Sequence, residues 1–264
     1  MAKPKPKYEE YKKWLKDERG FEITNRTQLY YREVTSTIKG SFQESFLWNE
    51  FNRNRSYYGE QFLLDTHGYN LWANVGEPVE LKIKPYDSFI LKTYRKNILD
   101  NQNWSKPPKG GWILPNNWYS RINDIVRASV VVKYLDGVEF VTKYFQLLCK
   151  ECNVKCTVDF EAKEEGYYAA HMYVTDTFEI PKMELGTEFV DTSIEIQITT
   201  QLQEVILKLL RKYYEERRKQ EKLVENITWQ WNYKSDEFAT NYLGHILHYI
   251  EGMIMERREK MEVK

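Results

Sequence analysis

Two acidic residues stand against β-branched runs: Asp124 just ahead of Ile125-Val126, and Glu195 inside Ile194-Glu195-Ile196-Gln197-Ile198-Thr199. Strict alternation in the second segment puts Glu195, Gln197 and Thr199 on one face of a strand. Carboxylates lining a sheet face suit Mg²⁺, which takes a few carboxylates and fills its octahedron with substrate phosphate oxygens. On alternation alone the same face is as readily the wet side of an edge strand. A third segment, Lys82-Ile83-Lys84-Pro85-Tyr86-Asp87-Ser88, is followed by Lys92, Arg95 and Lys96. Several cations beside a hydroxyl can hold a polyphosphate through charge-assisted hydrogen bonds. By itself such a segment reads as a solvated charged face. Arg121 and Arg127 flank the Asp124 segment.

The elements that must position these groups follow from hydrophobic period. Roughly the first 75 residues read as helices with polar joints, Tyr8 to Arg19 and then one longer run from about Gln28 to Phe51. Val79 opens a further helix expected to reach about Leu99 despite Pro85. Asp100 to Ser120 is dense in Pro, Gly and Asn, carries three tryptophans and cannot be one regular element. Loops of this length are usually functional or mobile. Short β-branched runs then appear at Ser129–Tyr134, Lys155–Phe160, His171–Val174 and Ser193–Thr199, with a helical pattern at Val138–Cys152 between the first two. The order strand, helix, strand, strand, strand predicts an α+β fold: a mixed sheet of four to five strands covered by helices, with helical extensions at both ends. The expected division is 1–78 helical, 79–203 the sheet-bearing core and 204–264 helical. Leu202, Val205, Ile206, Leu209, Leu210 and Tyr213 form a helical stripe. So do Phe238, Tyr242, Leu243, Ile246, Tyr249, Ile250 and Met253, a stripe that needs either the domain or another subunit to cover it.

Composition excludes several classes. The 264 residues carry 39 Lys plus Arg against 39 Asp plus Glu, so a protein built around one large basic face is disfavoured, although a local patch is not. Apolar runs are too short to span a bilayer, and the start lacks the apolar core of a signal peptide, so a cytoplasmic protein with no membrane partner is expected. Cys149, Cys152 and Cys156 are odd in number and read as free thiols in a reducing compartment rather than a zinc site, which wants four ligands. His245 and His248, at i, i+3 on the last helix, read as packing residues more readily than as a site.

Taken in order, these segments resemble the synthetase domain of the RelA/SpoT family of alarmone enzymes over roughly Val79 to Gln203. The family's basic R-x-K-S segment with its later lysine is met by Lys82, Lys84, Ser88 and Lys92. Its D-L-x-G-x-R segment is met at Asp124, its K-x-N-G-Y-x-S-L-H segment by Lys163, Gly166, Tyr167 and His171, and its V-E-I-Q-I-R-T segment by Glu195 and Gln197. The resemblance implies a Mg²⁺-dependent transfer of the β,γ-pyrophosphate of ATP to a ribose 3′-hydroxyl. It assigns Lys82, Lys84, Ser88 and Lys92 to the ATP phosphates, with Arg121 beside them, and Asp124 and Glu195 to Mg²⁺. Glu195 is also implied as the base for the attacking hydroxyl. Tyr167 would stack on the acceptor base, while Lys163, His171, Gln197 and Arg127 would address the acceptor.

The departures bear on the acceptor. Lys82 replaces Arg and loses a bidentate fork. Arg127 stands where Gly is common and Ser129 where Arg is common. Glu165 replaces Asn, Tyr168-Ala169-Ala170 replaces a basic-Ser-Leu run, and Thr199 replaces Arg. The acceptor side is therefore less cationic than a free guanosine di- or triphosphate would ask for. No His-Asp dipeptide occurs, so the hydrolase half of the long family members is not expected. Three functions stay open: synthesis of (p)ppGpp-type alarmones from ATP and a guanosine nucleotide; a toxin that pyrophosphorylates the 3′ end of tRNA; and an inactive nucleotide-sensing or interaction module. The tRNA reading leans on the tryptophan-rich loop and on a patch of Lys106, Lys109, Arg211, Lys212, Arg217 and Arg218. An antitoxin or other regulatory protein, and a homo-oligomer, are further partners the resemblance allows.

Overall fold

The computed structural model describes residues 4–74, 76, 78–208 and 228–262. Its helices are α1 (Tyr11–Arg19), α2 (Asn25–Glu44), α3 (Phe46–Arg53), α4 (Arg55–Asp65), α5 (Tyr86–Tyr94), α6 (Trp118–Arg121), α7 (Leu135–Glu151), α8 (residues 201–208) and α9 (Asp236–Glu262). The strands β1 (Leu81–Ile83), β2 (Val126–Val132), β3 (Lys155–Ala162), β4 (Tyr168–Pro181) and β5 (Thr187–Thr200) form one mixed sheet in the order β1-β2-β5-β4-β3. The α+β architecture expected from sequence is the one observed. No helix among the described residues is long and apolar enough to cross a membrane. Leu209, Leu210 and Tyr213 of the expected stripe, and Arg211, Lys212, Arg217 and Arg218 of the expected basic patch, lie outside the described residues.

Two expected helices are corrected. The run from Gln28 to Phe51 is two helices, because Ser45 leaves helical geometry (φ −61°, ψ 148°) and its side chain accepts a hydrogen bond from the Trp48 amide as the cap of α3. The run from Val79 to Leu99 begins as a strand. Proline disfavours helical geometry in the residue before it, so Lys84 stays extended, its amide donating to Ile125 O at 2.8 Å. Pro85 then caps α5, which continues as a wider turn through Arg95–Leu99. Lys82 and Lys84 are therefore strand-side residues and Ser88 and Lys92 helical ones.

The chain forms two compact units of non-contiguous stretches. The first comprises residues 1–43, 82–127 and 175–194. It buries Tyr11, Leu15, Ile38, Phe89, Ile98 and Trp118. The tryptophan-rich loop belongs to it and is held by packing: Trp104 and Trp112 lie 5.9 and 5.2 Å from Trp14, with the Arg19 guanidinium 4.2 Å above Trp112. The second unit comprises 44–81, 128–174 and 195–264. Its core includes Phe51 edge-on to Phe145 at 4.8 Å, with Leu47, Phe62, Val141 and Leu148 buried nearby in sequence. Cys149, at the end of α7, Cys152, and Cys156, at the start of β3, are free thiols.

Helix α9 is anchored in the second unit by its polar side. Arg258 is buried, pairs with Asp136 at 2.9 Å and stands 3.6 Å over the Tyr69 ring. The expected apolar stripe faces outward: Tyr242, Leu243, Ile246, Tyr249, Ile250 and Met253 are all exposed, Tyr249 by 70%.

Glu251, on the inward side of α9, is buried, and neither of its carboxylate oxygens finds a hydrogen-bond partner among the described residues. Burial raises its carboxyl pKa from 4.5 to about 7, against the smaller opposite effect of Thr200. The folded state thus holds a proton that the unfolded chain releases. Stability from this group is full below about pH 4.5, declines as pH rises to about 7 and is level above that. Glu251→Gln should remove this decline, so that urea midpoints of variant and parent diverge between pH 5 and 8 with the variant the more stable at pH 8.

Candidate functional site

In the first unit the site is a cation cluster around one acid. Asp124 is buried on the approach to β2, with Lys84 Nζ 2.8 Å from one carboxylate oxygen and Lys92 Nζ 2.9 Å from the other. Lys84 reaches it from the end of β1, where its amide bond to Ile125 O and the Tyr31 hydroxyl donating to Lys84 O at 2.7 Å fix the backbone. Lys92 reaches it from the last turn of α5. Burial alone would raise the Asp124 pKa, but the two ammonium groups outweigh it and hold the carboxyl at about 2. Lys84 is shifted down by its burial, with Asp124 opposing incompletely.

Two further cations act on the cluster. Lys96, one helical turn past Lys92, has its pKa lowered first by desolvation and then by the charge of Lys92. Arg127, at the start of β2, is close enough to depress Lys84 further. Sequence reading named Lys96 among the cations of the basic segment, but the family resemblance gave it no role, although its i+4 spacing from Lys92 signals a shared helical face. The other expected members stand apart: Lys82 and Ser88 are exposed and join no ion pair here among the described residues. Arg121 donates to the carbonyls of Gly110 and Gly111, which makes it an anchor for that loop.

In the second unit a directed chain of hydrogen bonds links four residues named from sequence. Gln197 Nε2 donates to the Tyr167 hydroxyl at 2.8 Å, and Tyr167 is 2.8 Å from His171 Nε2. His171 Nδ1 in turn is 2.9 Å from Glu195 Oε1. With His171 neutral and its proton on Nδ1, every donor meets an acceptor: Gln197 to Tyr167 to His171 to the Glu195 carboxylate. His171 and Glu195 are buried, and Tyr167 is half-buried, its phenol pKa raised chiefly by desolvation and then by Glu161 and Glu195. The alternation that sets Glu195 and Gln197 on one face is observed. The edge-strand alternative is not, since β5 lies between β2 and β4.

A tight turn joins β3 to β4 and brings Lys163 to Tyr167: Gly166 N donates to Lys163 O at 2.9 Å and Lys163 N to Tyr167 O at 3.0 Å. Gly166 adopts φ +74°, which a residue with a β-carbon disfavours. Lys163 Nζ stands 4.8 Å above the Tyr167 ring and 2.6 Å from Glu161. Glu161, also 3.4 Å from His171, is a member that sequence reading missed. Only its place on β3, two residues before Lys163, signalled it.

As donors for a hard cation the two acids differ: Asp124 is held ionised but has a lysine on each oxygen, one of which a cation would have to displace, whereas Glu195 spends one oxygen on His171 and keeps the other for a cation. No group of three or more His, Cys, Asp or Glu able to hold a metal ion occurs among the described residues. Mg²⁺ does not need one, because it binds through one or two carboxylates plus substrate phosphates.

No protein-family model matches the chain, and no curated protein matches it. Solved structures do. Small alarmone synthetase 1 from Bacillus subtilis superposes with a TM-score of 0.52 at 13% identity, over 91% of this chain and 98% of that one. The same protein bound to its product pppGpp gives 0.51 at 14% identity, over 90% and 97%. At this identity the likeness speaks for the fold alone, and the fold of this chain is similar to that of the small alarmone synthetases.

Proposed function

We propose that this chain is a Mg²⁺-dependent pyrophosphotransferase that moves the β,γ-pyrophosphate of ATP to the ribose 3′-hydroxyl of a guanosine nucleotide, in the cytoplasm. One observation carries the reading: Tyr167, His171, Glu195 and Gln197, named from two separate sequence segments, form one directionally consistent hydrogen-bond chain ending on a carboxylate. The likeness in fold to an alarmone synthetase solved with pppGpp supports the choice of acceptor.

In this reading Lys84 and Lys92, with Lys96 near them, take the ATP phosphates, and Lys82 and Ser88 extend the donor site; Arg127, expected from sequence on the acceptor, acts on Lys84 and is read here with the donor site, while Arg121 serves as a loop anchor. Asp124 in the first cluster and Glu195 in the second each offer a carboxylate to Mg²⁺, which would supply charge neutralisation on the transferred group. Tyr167 stacks on the acceptor base, with Lys163 and Gln197 beside it. Glu195 accepts the proton of the 3′-hydroxyl as its oxygen attacks the β-phosphorus. The bond from that phosphorus to the α-phosphate bridging oxygen breaks, and AMP leaves. His171, donating to Glu195, orients the carboxylate and tempers its basicity.

A second acceptor, the 3′ end of tRNA, is favoured by one feature. Lys163, the cation of the Tyr167–Glu195 network, is already paired with Glu161, which suits an acceptor end without a free 5′-polyphosphate. Against it, Trp104 and Trp112 of the loop are packed on Trp14. An antitoxin or regulatory protein would be a partner under that second reading. The outward apolar stripe of α9 supports a homo-oligomer under either.

Incubation with γ-³²P-ATP and Mg²⁺, separately with GDP, GTP and bulk tRNA, should place label in a guanosine nucleotide. Label in tRNA would transfer the reading to the second acceptor, and intact ATP in every mixture would favour an inactive nucleotide-sensing module. Glu195→Gln should lower turnover by about 10²–10⁴ with an unchanged circular-dichroism spectrum; retained turnover removes Glu195 as the base. Light scattering should give a mass above that of one chain, reduced by Tyr249→Glu; a monomeric parent ends the oligomer reading.

A further inference from the structure

Helix α9 meets the second unit with its backbone. A β-carbon built on Gly244 would stand 2.3 Å from the Gly166 carbonyl oxygen, and one built on Gly166 would stand 2.4 Å from Asn241 O. Neither position admits a side chain without the helix and the turn moving apart. Around this contact His245 Nε2 lies 2.9 Å from Glu164 O and Nδ1 lies 2.8 Å from the Tyr168 hydroxyl. The neutral ring with its proton on Nε2 donates to the carbonyl and accepts from the phenol. His248 stacks on the Tyr168 ring at 3.6 Å and 3°, and Gln203 Nε2 donates to Gly244 O at 3.3 Å.

Gln203 apart, what α9 grips here belongs to the turn between β3 and β4 or to the residue just after Tyr167. Tyr167 and Tyr168 are consecutive, so the pleat sends their side chains to opposite faces: Tyr167 to His171 and Gln197, Tyr168 to His245 and His248. Fixing one ring on the helix fixes the backbone from which the other projects. The same turn carries Lys163.

We propose that α9 is a positioning element for the acceptor, in which Gly244, His245 and His248 set the Lys163–Tyr167 turn from the face opposite Tyr167. The inference rests on reading the Tyr167–Glu195 network as the acceptor site. It assigns to the C-terminal helix control over acceptor engagement, so that a change in how α9 docks is felt by the acceptor and not by ATP.

The discriminating variant is Gly244→Ala. Alanine favours the helix itself by about 1 kcal/mol over glycine, so any loss comes from the contact with the turn. Gly252→Ala is the control, because that position on the same helix has no heavy atom within 4 Å of a built β-carbon. A misplacement of about 1 Å can cost on the order of a hundredfold, so the acceptor KM of Gly244→Ala should rise about tenfold or more. The KM for ATP should stay as in Gly252→Ala. Amide hydrogen exchange at residues 164–168 should accelerate in Gly244→Ala alone.

Equal rises in both KM values would reduce α9 to general support and overturn the proposal, as would unchanged acceptor KM and exchange. If the parent protein transfers nothing to any guanosine nucleotide or tRNA, the reading of the site as an acceptor site falls. The exchange comparison still decides whether α9 sets the turn. Should Gly244→Ala not fold, His248→Ala and His248→Phe replace it: alanine should reproduce the acceptor defect, and phenylalanine, which keeps the stacked ring, should restore the parent value. Failure of that pattern overturns the proposal equally.

Discussion

The register of β5 is the constraint on which the candidate site depends. Ile194, Ile196 and Ile198 are each fully buried, and Glu195 and Gln197 lie between them on the other face. A slip of one residue would set three isoleucines on the polar face that carries Glu195 and Gln197 and drive an acid and an amide among apolar groups. Because β5 is paired on both sides, by β2 and by β4, such a slip would break two ladders at once. Glu195 therefore owes its position to the burial of its neighbours. Its own hydrogen bond, from His171, offsets the desolvation of a charge whose location is already decided.

The two clusters are tuned in opposite ways. Around Asp124, positive charge exceeds negative: two ammonium groups contact one carboxylate, and Lys96 and Arg127 add to the field. That excess is what a polyphosphate would complete, and an incoming phosphate competes with Asp124 for lysines that are already desolvated and aimed. Around Glu195 the arrangement is one of donors in series, with acid in excess through Glu161. Such a network suits holding a hydroxyl and taking its proton better than it suits binding anions.

What the sequence made legible was whatever depends on short-range periodicity. The alternation around Glu195, the helical pattern ending at Cys152 and the strand order after it all survive in the fold. Residues that depend on local stereochemistry against the pattern were misread: Pro85 holds Lys84 extended where the apolar spacing suggested helix, and Ser45 interrupts a continuous stripe with a cap. Contacts between distant segments were invisible. Beyond its spacing from Lys163, nothing in the sequence ties Glu161 to His171, and Arg121 has the flanking position of a ligand-binding residue yet spends its donors on the carbonyls of Gly110 and Gly111.

Helix α9 shows the limit of the apolar stripe as a guide. Seven apolar residues at helical spacing would ordinarily turn inward, yet the inward side carries Asn241, Gly244, Glu251 and Arg258, all buried. The reason lies at Gly244, the point of closest approach, where only a residue without a β-carbon lets the helix touch the Gly166 turn. Once that contact fixes the rotation of the helix about its axis, the remaining inward positions follow at intervals of three and four and must find polar partners, as Arg258 does with Asp136 and Tyr69. The apolar stripe, on the opposite side by the same geometry, is left facing out. Backbone proximity at one glycine pair has thus overruled the hydrophobic pattern of a 27-residue helix.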